Sequence, residues 1–140
     1  MDEHMASSDR RPVSILTGPT VTLYRRDIRQ ETTEGENGEP RIYYTYTEIR
    51  FERGEYDLVR SGMLPPGVRE WTDDLRRIER SALLDNADVL IAKAEDLMAT
   101  GQGDASAVQR IREYKMAVRA TVTQSGFPAS VEYPELPIQT

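Results

Sequence analysis

Thr72-Asp73-Asp74-Leu75-Arg76-Arg77-Ile78-Glu79-Arg80-Ser81-Ala82-Leu83-Leu84 is the stretch whose reading decides the fold. Thr72 offers a hydroxyl to the unpaired amides of a first helical turn, and Asp73 and Asp74 face the positive end of its dipole. From Leu75 an apolar stripe runs at helical spacing through Ile78, Ala82, Leu83, Ala87, Leu90, Ile91, Ala94, Leu97 and Met98 to about Thr100. An unbroken helix here is about 40 Å long at 1.5 Å per residue, with the poor helix formers Asp85-Asn86 as its weak point. Gly101 and Gly103 end it. Ser106 and Gln109 have capping-box spacing, and Val108, Ile111, Tyr114, Val118 and Val122 share one face of a second helix that Gly126 can close in the left-handed conformation. The short Gly-rich connection makes the pair an antiparallel hairpin. Beyond it, Phe127-Pro128 and Tyr133-Pro134 hold an extended tail, so residues 72–140 form one helical module.

Upstream, Met63-Leu64-Pro65-Pro66-Gly67 forbids regular structure, and 63–71 reads as a linker whose Trp71 packs at the start of the helix. Glu55 to Arg60 suffices for one or two helical turns. Residues 13–62 read as a β-hairpin module. One strand begins at Thr20-Val21-Thr22-Leu23-Tyr24; the other, Arg41 to Phe51, is the most β-prone run in the chain. The polar segment Glu31 to Pro40 reads as a long mobile connection with a tight turn at Asn37-Gly38. Two strands are marginal alone, so the hairpin needs the helices, a third strand starting at Ile15-Leu16, or another chain. Residues 1–12 are polar and aperiodic and read as a disordered arm. His4-Met5-Ala6-Ser7 reads equally as a cloning junction or as a native extension, and His4 is given no role.

The predicted class is therefore α+β: an N-terminal β-hairpin module, then an antiparallel helical hairpin with an extended Pro-rich tail. The 140 residues are 38% hydrophobic and 30% charged, a thin apolar supply that favours a subunit completing its core against a neighbour. A net charge of −6 disfavours general nucleic-acid binding. There is no cysteine for a disulfide or thiolate site. No run approaches the roughly 20 apolar residues of a membrane span, and the acidic start lacks signal-peptide character.

The ingredients of catalysis are missing. The single histidine lies in the arm, and no Gly-rich loop has phosphate-cradling spacing, so triads, zinc sites and nucleotide loops lose essential members. Asp85 with Asp88, and Glu95 with Asp96, read as solvated helix faces rather than metal ligands. Arg76, Arg77 and Arg80, and likewise Arg112, Lys115 and Arg119, read as solvent-facing charges balanced by acidic neighbours; a basic stripe for nucleic acid is the alternative. Tyr43, Tyr44 and Tyr46 read as the two packed faces of a hairpin rather than a base-stacking platform. No enzymatic activity and no cofactor are expected.

Leu75-Arg76-Arg77-Ile78-Glu79-Arg80-Ser81-Ala82-Leu83-Leu84 with Asp88, then Tyr114-Lys115-Met116-Ala117-Val118-Arg119, then Gly126-Phe127-Pro128 and Val131-Glu132-Tyr133-Pro134 with Pro137, resembles the phage tail assembly chaperone family. Tyr133 stands where that family has tryptophan, and the β-rich half has no counterpart. The resemblance implies a non-enzymatic protein that binds phage tail, baseplate or fibre proteins in the host cytoplasm during assembly. Retention in the virion as a structural component is the alternative, and a small nucleic-acid-binding regulator a lesser one. A homo-oligomer is compatible; a membrane is not expected as a partner. The contact residues expected are Phe127, Pro128, Val131, Tyr133 and Pro134, supported by Tyr114 and Trp71. A tail that folds back to cap its own helices is the competing expectation.

Overall fold

The structure, a computed structural model, describes residues 1–137. Four strands, β1 (Asp2–Ser8), β2 (Ile15–Thr17), β3 (Val21–Glu34) and β4 (Pro40–Glu52), precede three helices, α1 (Arg53–Arg60), α2 (Asp73–Ala99) and α3 (Ala105–Ala120). The chain divides into two compact units, 1–58 and 59–140, with the boundary inside α1 rather than at the Pro/Gly linker. The α+β class, with a β module before a helical hairpin, is the one expected. Among the described residues no helix is long and apolar enough to cross a membrane.

In the first unit the strands form one antiparallel sheet in the order β1-β4-β3-β2. Ile15-Leu16 starts the third strand as anticipated, pairing Leu16 with Leu23. The expected disordered arm is corrected: β1 pairs along β4, from Asp2 with Arg50 to Ser8 with Tyr44. Main-chain hydrogen bonds to an otherwise open edge order the segment, and they require no apolar pattern for composition to reveal. The long loop is also shorter than predicted. β3 runs on to Glu34, where Thr32 and Thr33 pair with Ile42 and Arg41, leaving a turn at 35–39 with Gly38 at φ 73°. β-Branched threonines outweigh the acidic composition there. Tyr24, Tyr46, Ile49 and Phe51 are buried, and the Phe51 ring meets Tyr56 of α1 at 6.4 Å between centroids.

In the second unit α2 runs unbroken through Asp85-Asn86 and is capped by Thr72, whose hydroxyl accepts from the Leu75 amide. Packing of Ala87 and Leu90 against α3 outweighs the weak local propensity. Two end signals differ from expectation. The N-cap of α3 is Asp104, whose carboxylate accepts from the Ser106 amide at 2.9 Å, not a Ser106–Gln109 box. Gly126 does not close α3. The helix passes into a 3-10 turn, Thr121–Thr123, and the Thr121 hydroxyl donates to the Val118 carbonyl at 2.6 Å. Three residues per turn bring Thr121 beneath Val118, so Thr121 is buried and Val122 is exposed. Ala87, Leu90, Ile111, Tyr114 and Val118 form the core of the unit, with Leu83, Leu84, Ile91, Tyr133 and Leu136 packed around it. The tight connection between the helices depends on Gly103, where a Cβ would lie 2.5 Å from the Met98 amide nitrogen.

Candidate partner-binding site

The tail predicted to meet a partner lies along its own helices. Arg76, one turn into α2, is 7% exposed and organises this arrangement. Its Nε donates to the Pro128 carbonyl at 2.8 Å, Nη2 to the Ala129 carbonyl at 3.2 Å and Nη1 to Glu79 Oε1 at 2.8 Å. The guanidinium carbon stands 4.0 Å from the centre of the Trp71 ring, a cation–π contact that closes its remaining side. Arginine suits the position because its planar fork serves three acceptors at once. One turn on, Arg80 lies over the Phe127 ring at 5.7 Å, and its Nη1 is buried without a hydrogen-bond partner.

A second clamp holds the tail farther along. The Gln124 amide donates through Nε2 to the Glu132 carbonyl at 2.6 Å and accepts the Glu132 amide at 2.8 Å, as a strand neighbour would. Tyr133 then packs against the core cluster. Its hydroxyl is buried beside Glu79 without a hydrogen bond of good geometry. Burial, reinforced by the Glu79 carboxylate, pushes the Tyr133 phenol well above its ordinary pKa, and burial likewise raises Tyr114.

The sequence-predicted residues therefore come together, though as an internal joint. Phe127, Pro128, Val131, Tyr133 and Pro134 are half-buried on the helices, Trp71 lies against Arg76, and Tyr114 is a core residue. Folding back is the arrangement found. The residues that sequence reasoning missed are Arg76 and Glu79, read as solvent-facing charges but 7% and 6% exposed. Gly62 is a third. At φ 82° it passes so close that a Cβ would lie 2.9 Å from Glu79 Oε2. The available signal was the interruption of the apolar stripe by an Arg/Glu pair three residues apart, which a solvated surface explains equally well.

The other charges are arranged as expected of a solvated surface. Arg77 pairs with Asp73 at 3.2 Å, Arg112 with Glu95 at 3.6 Å, and Lys115 with Asp88. At the opposite end of the helical hairpin, Leu90, Lys93, Ala94, Leu97, Gly103 and Ala107 line an apolar cleft of about 310 Å³. Leu97 and Met98 beside it are exposed. Comparison with protein-family models, curated proteins and solved structures finds no match to this chain.

Proposed function

We propose that this chain is a non-enzymatic phage tail-morphogenesis protein that binds other tail, baseplate or fibre proteins. The observation that carries the reading is the bond from Arg76 to Pro128: the Arg-rich helix and the Gly-Phe-Pro segment, distant in sequence, are interlocking parts of one unit. The segments that carry the resemblance to the tail assembly chaperones lie together in this unit, which supports reading them as one module. Because the tail aromatics are engaged by their own helices, the partner surface falls to the apolar cleft at Leu90, Ala94 and Leu97. Ion pairing of Arg77, Arg112 and Lys115, with burial of Arg76, leaves little of the basic stripe that nucleic acid would require.

Affinity purification of the chain from phage-producing cells, followed by mass spectrometry, tests the proposal. Recovery of a tail, baseplate or fibre protein is expected, and Leu97→Asp should abolish it without lowering the melting temperature. A chain that recovers no such protein overturns the reading. Quantification in purified particles separates the two forms of the proposal: a chaperone is absent, whereas a structural component is present at fixed stoichiometry.

A further inference from the structure

Asn37 and Gly38 lie at the tip of the turn between β3 and β4. The Gly38 amide donates to the Gly35 carbonyl at 3.0 Å and the Gly35 amide to the Glu39 carbonyl at 2.8 Å, and these two bonds close the loop. The ladder begins behind them, at Glu34 with Pro40. Residues 36–40 are exposed, and no hydrogen bond holds the Asn37 side-chain amide among the described residues. A Cβ built on Gly38 meets nothing within 4 Å, so the main-chain nitrogen that follows Asn37 is uncrowded. Asn86, the second asparagine of the chain, is exposed too. The residue after it differs: Ala87 is 0% exposed, and its amide belongs to the hydrogen-bond ladder in the middle of α2.

We propose that Asn37 is a site of spontaneous covalent modification, converting to aspartyl and isoaspartyl forms with water as the only co-reactant. The Gly38 nitrogen attacks the carbonyl carbon of the Asn37 side chain. A C–N bond forms there, the bond to the side-chain nitrogen breaks, and ammonia departs carrying the proton that Gly38 gave up. Water then opens the resulting cyclic imide at either carbonyl. Attack at the side-chain carbonyl gives an aspartyl residue; attack at the main-chain carbonyl sends the chain through Cβ and gives the isoaspartyl form. Nothing is oxidised or reduced. For the attack the Gly38 amide must leave the Gly35 carbonyl, and only the two bonds that close the loop stand in the way, so this opening is local. The same movement at Asn86 breaks α2 at its centre and strips Ala87 and Leu90 from the core. Either product places a new carboxylate among Glu34, Glu36 and Glu39, and the isoaspartyl form adds one main-chain carbon that displaces the Gly38 amide from the Gly35 carbonyl.

The test follows the full chain in mildly alkaline buffer, folded and in guanidinium chloride. Digestion in heavy-oxygen water labels any conversion that occurs during digestion, and peptide fragmentation places the amide-to-acid exchange. Folded Asn37 is expected to convert at no less than about one-thirtieth of its rate in denaturant, the factor set by two hydrogen bonds. Its product should be a methyl acceptor for isoaspartyl methyltransferase. Asn86 should stay intact as long as the chain is folded. Gly38→Asp keeps a residue that tolerates the left-handed backbone but places a Cβ beside the nitrogen, and should slow conversion at least about tenfold. Asn37→Ser should abolish the more acidic species seen on anion exchange. Folded Asn37 that stays intact while the denatured chain converts, or folded Asn86 that converts as fast as Asn37, overturns the proposal.

Discussion

Arg76 Nε donates to the Pro128 carbonyl at 2.8 Å, joining the first turn of α2 to a segment 52 residues later in the chain. A guanidinium in this position leaves several partners stranded when it is removed: Glu79, two carbonyls and the Trp71 face.

Replacement of Arg76 by Met is expected to cost about 3–5 kcal/mol, because it leaves the Glu79 carboxylate buried without its counter-charge. The double variant Arg76→Met/Glu79→Leu should be more stable than the single one, since no uncompensated charge remains. Urea unfolding followed by Trp71 fluorescence measures both.

Tyr133→Phe should leave stability unchanged or raise it, because the hydroxyl removed is buried without a well-made hydrogen bond. The pH dependence has a definite sign. The folded phenol titrates above the unfolded value of about 10, so its contribution is fully present below that value and is lost as pH rises toward the folded pKa. Urea midpoints above pH 10 should fall more steeply for wild type than for Tyr133→Phe.

Gly62→Ala combines a left-handed backbone with a Cβ 2.9 Å from Glu79 Oε2. A loss of at least about 1 kcal/mol is expected from the backbone alone, and more from the displaced carboxylate. Gly67 has φ 85° with open space around its Cβ position, so Gly67→Ala should lose less. Thermal melts of the two variants isolate the contribution of the close approach.

Asp104 caps α3, and hydrogen bonds from the Ser106 hydroxyl and amide hold its carboxyl below the usual range. Its contribution is present above the unfolded carboxylate value and disappears as pH falls through the lowered folded one. Asp104→Ala should lower the melting temperature at neutral pH. Asp104→Asn should retain much of the cap while reducing the acid sensitivity, which melts at several pH values would register.

Much of this architecture was legible because it is written locally. The apolar stripe from Leu75, the Thr72 cap, the Gly101–Gly103 connection and the β-prone run from Arg41 are patterns within one element, and each formed where its period placed it. Three features escaped for one common reason: their stabilising partners are remote in sequence. β1 is ordered by the open edge of β4, the end of β3 by Ile42 and Arg41 opposite, and the burial of Arg76 by carbonyls in the tail. A polar residue is read as exposed until the acceptors that permit its burial are known.

The sequence by itself determined the order of elements from β2 onward, the α+β class and the inability of the proline-spaced tail to be helical, since these follow from hydrophobic period and backbone restriction. Tertiary structure alone decided that the tail turns inward onto α2, that an Arg/Glu pair becomes part of the interior, and that β1 pairs along β4. Each of those outcomes depends on which hydrogen-bonding groups meet across the fold, and that pairing is a property of three-dimensional proximity.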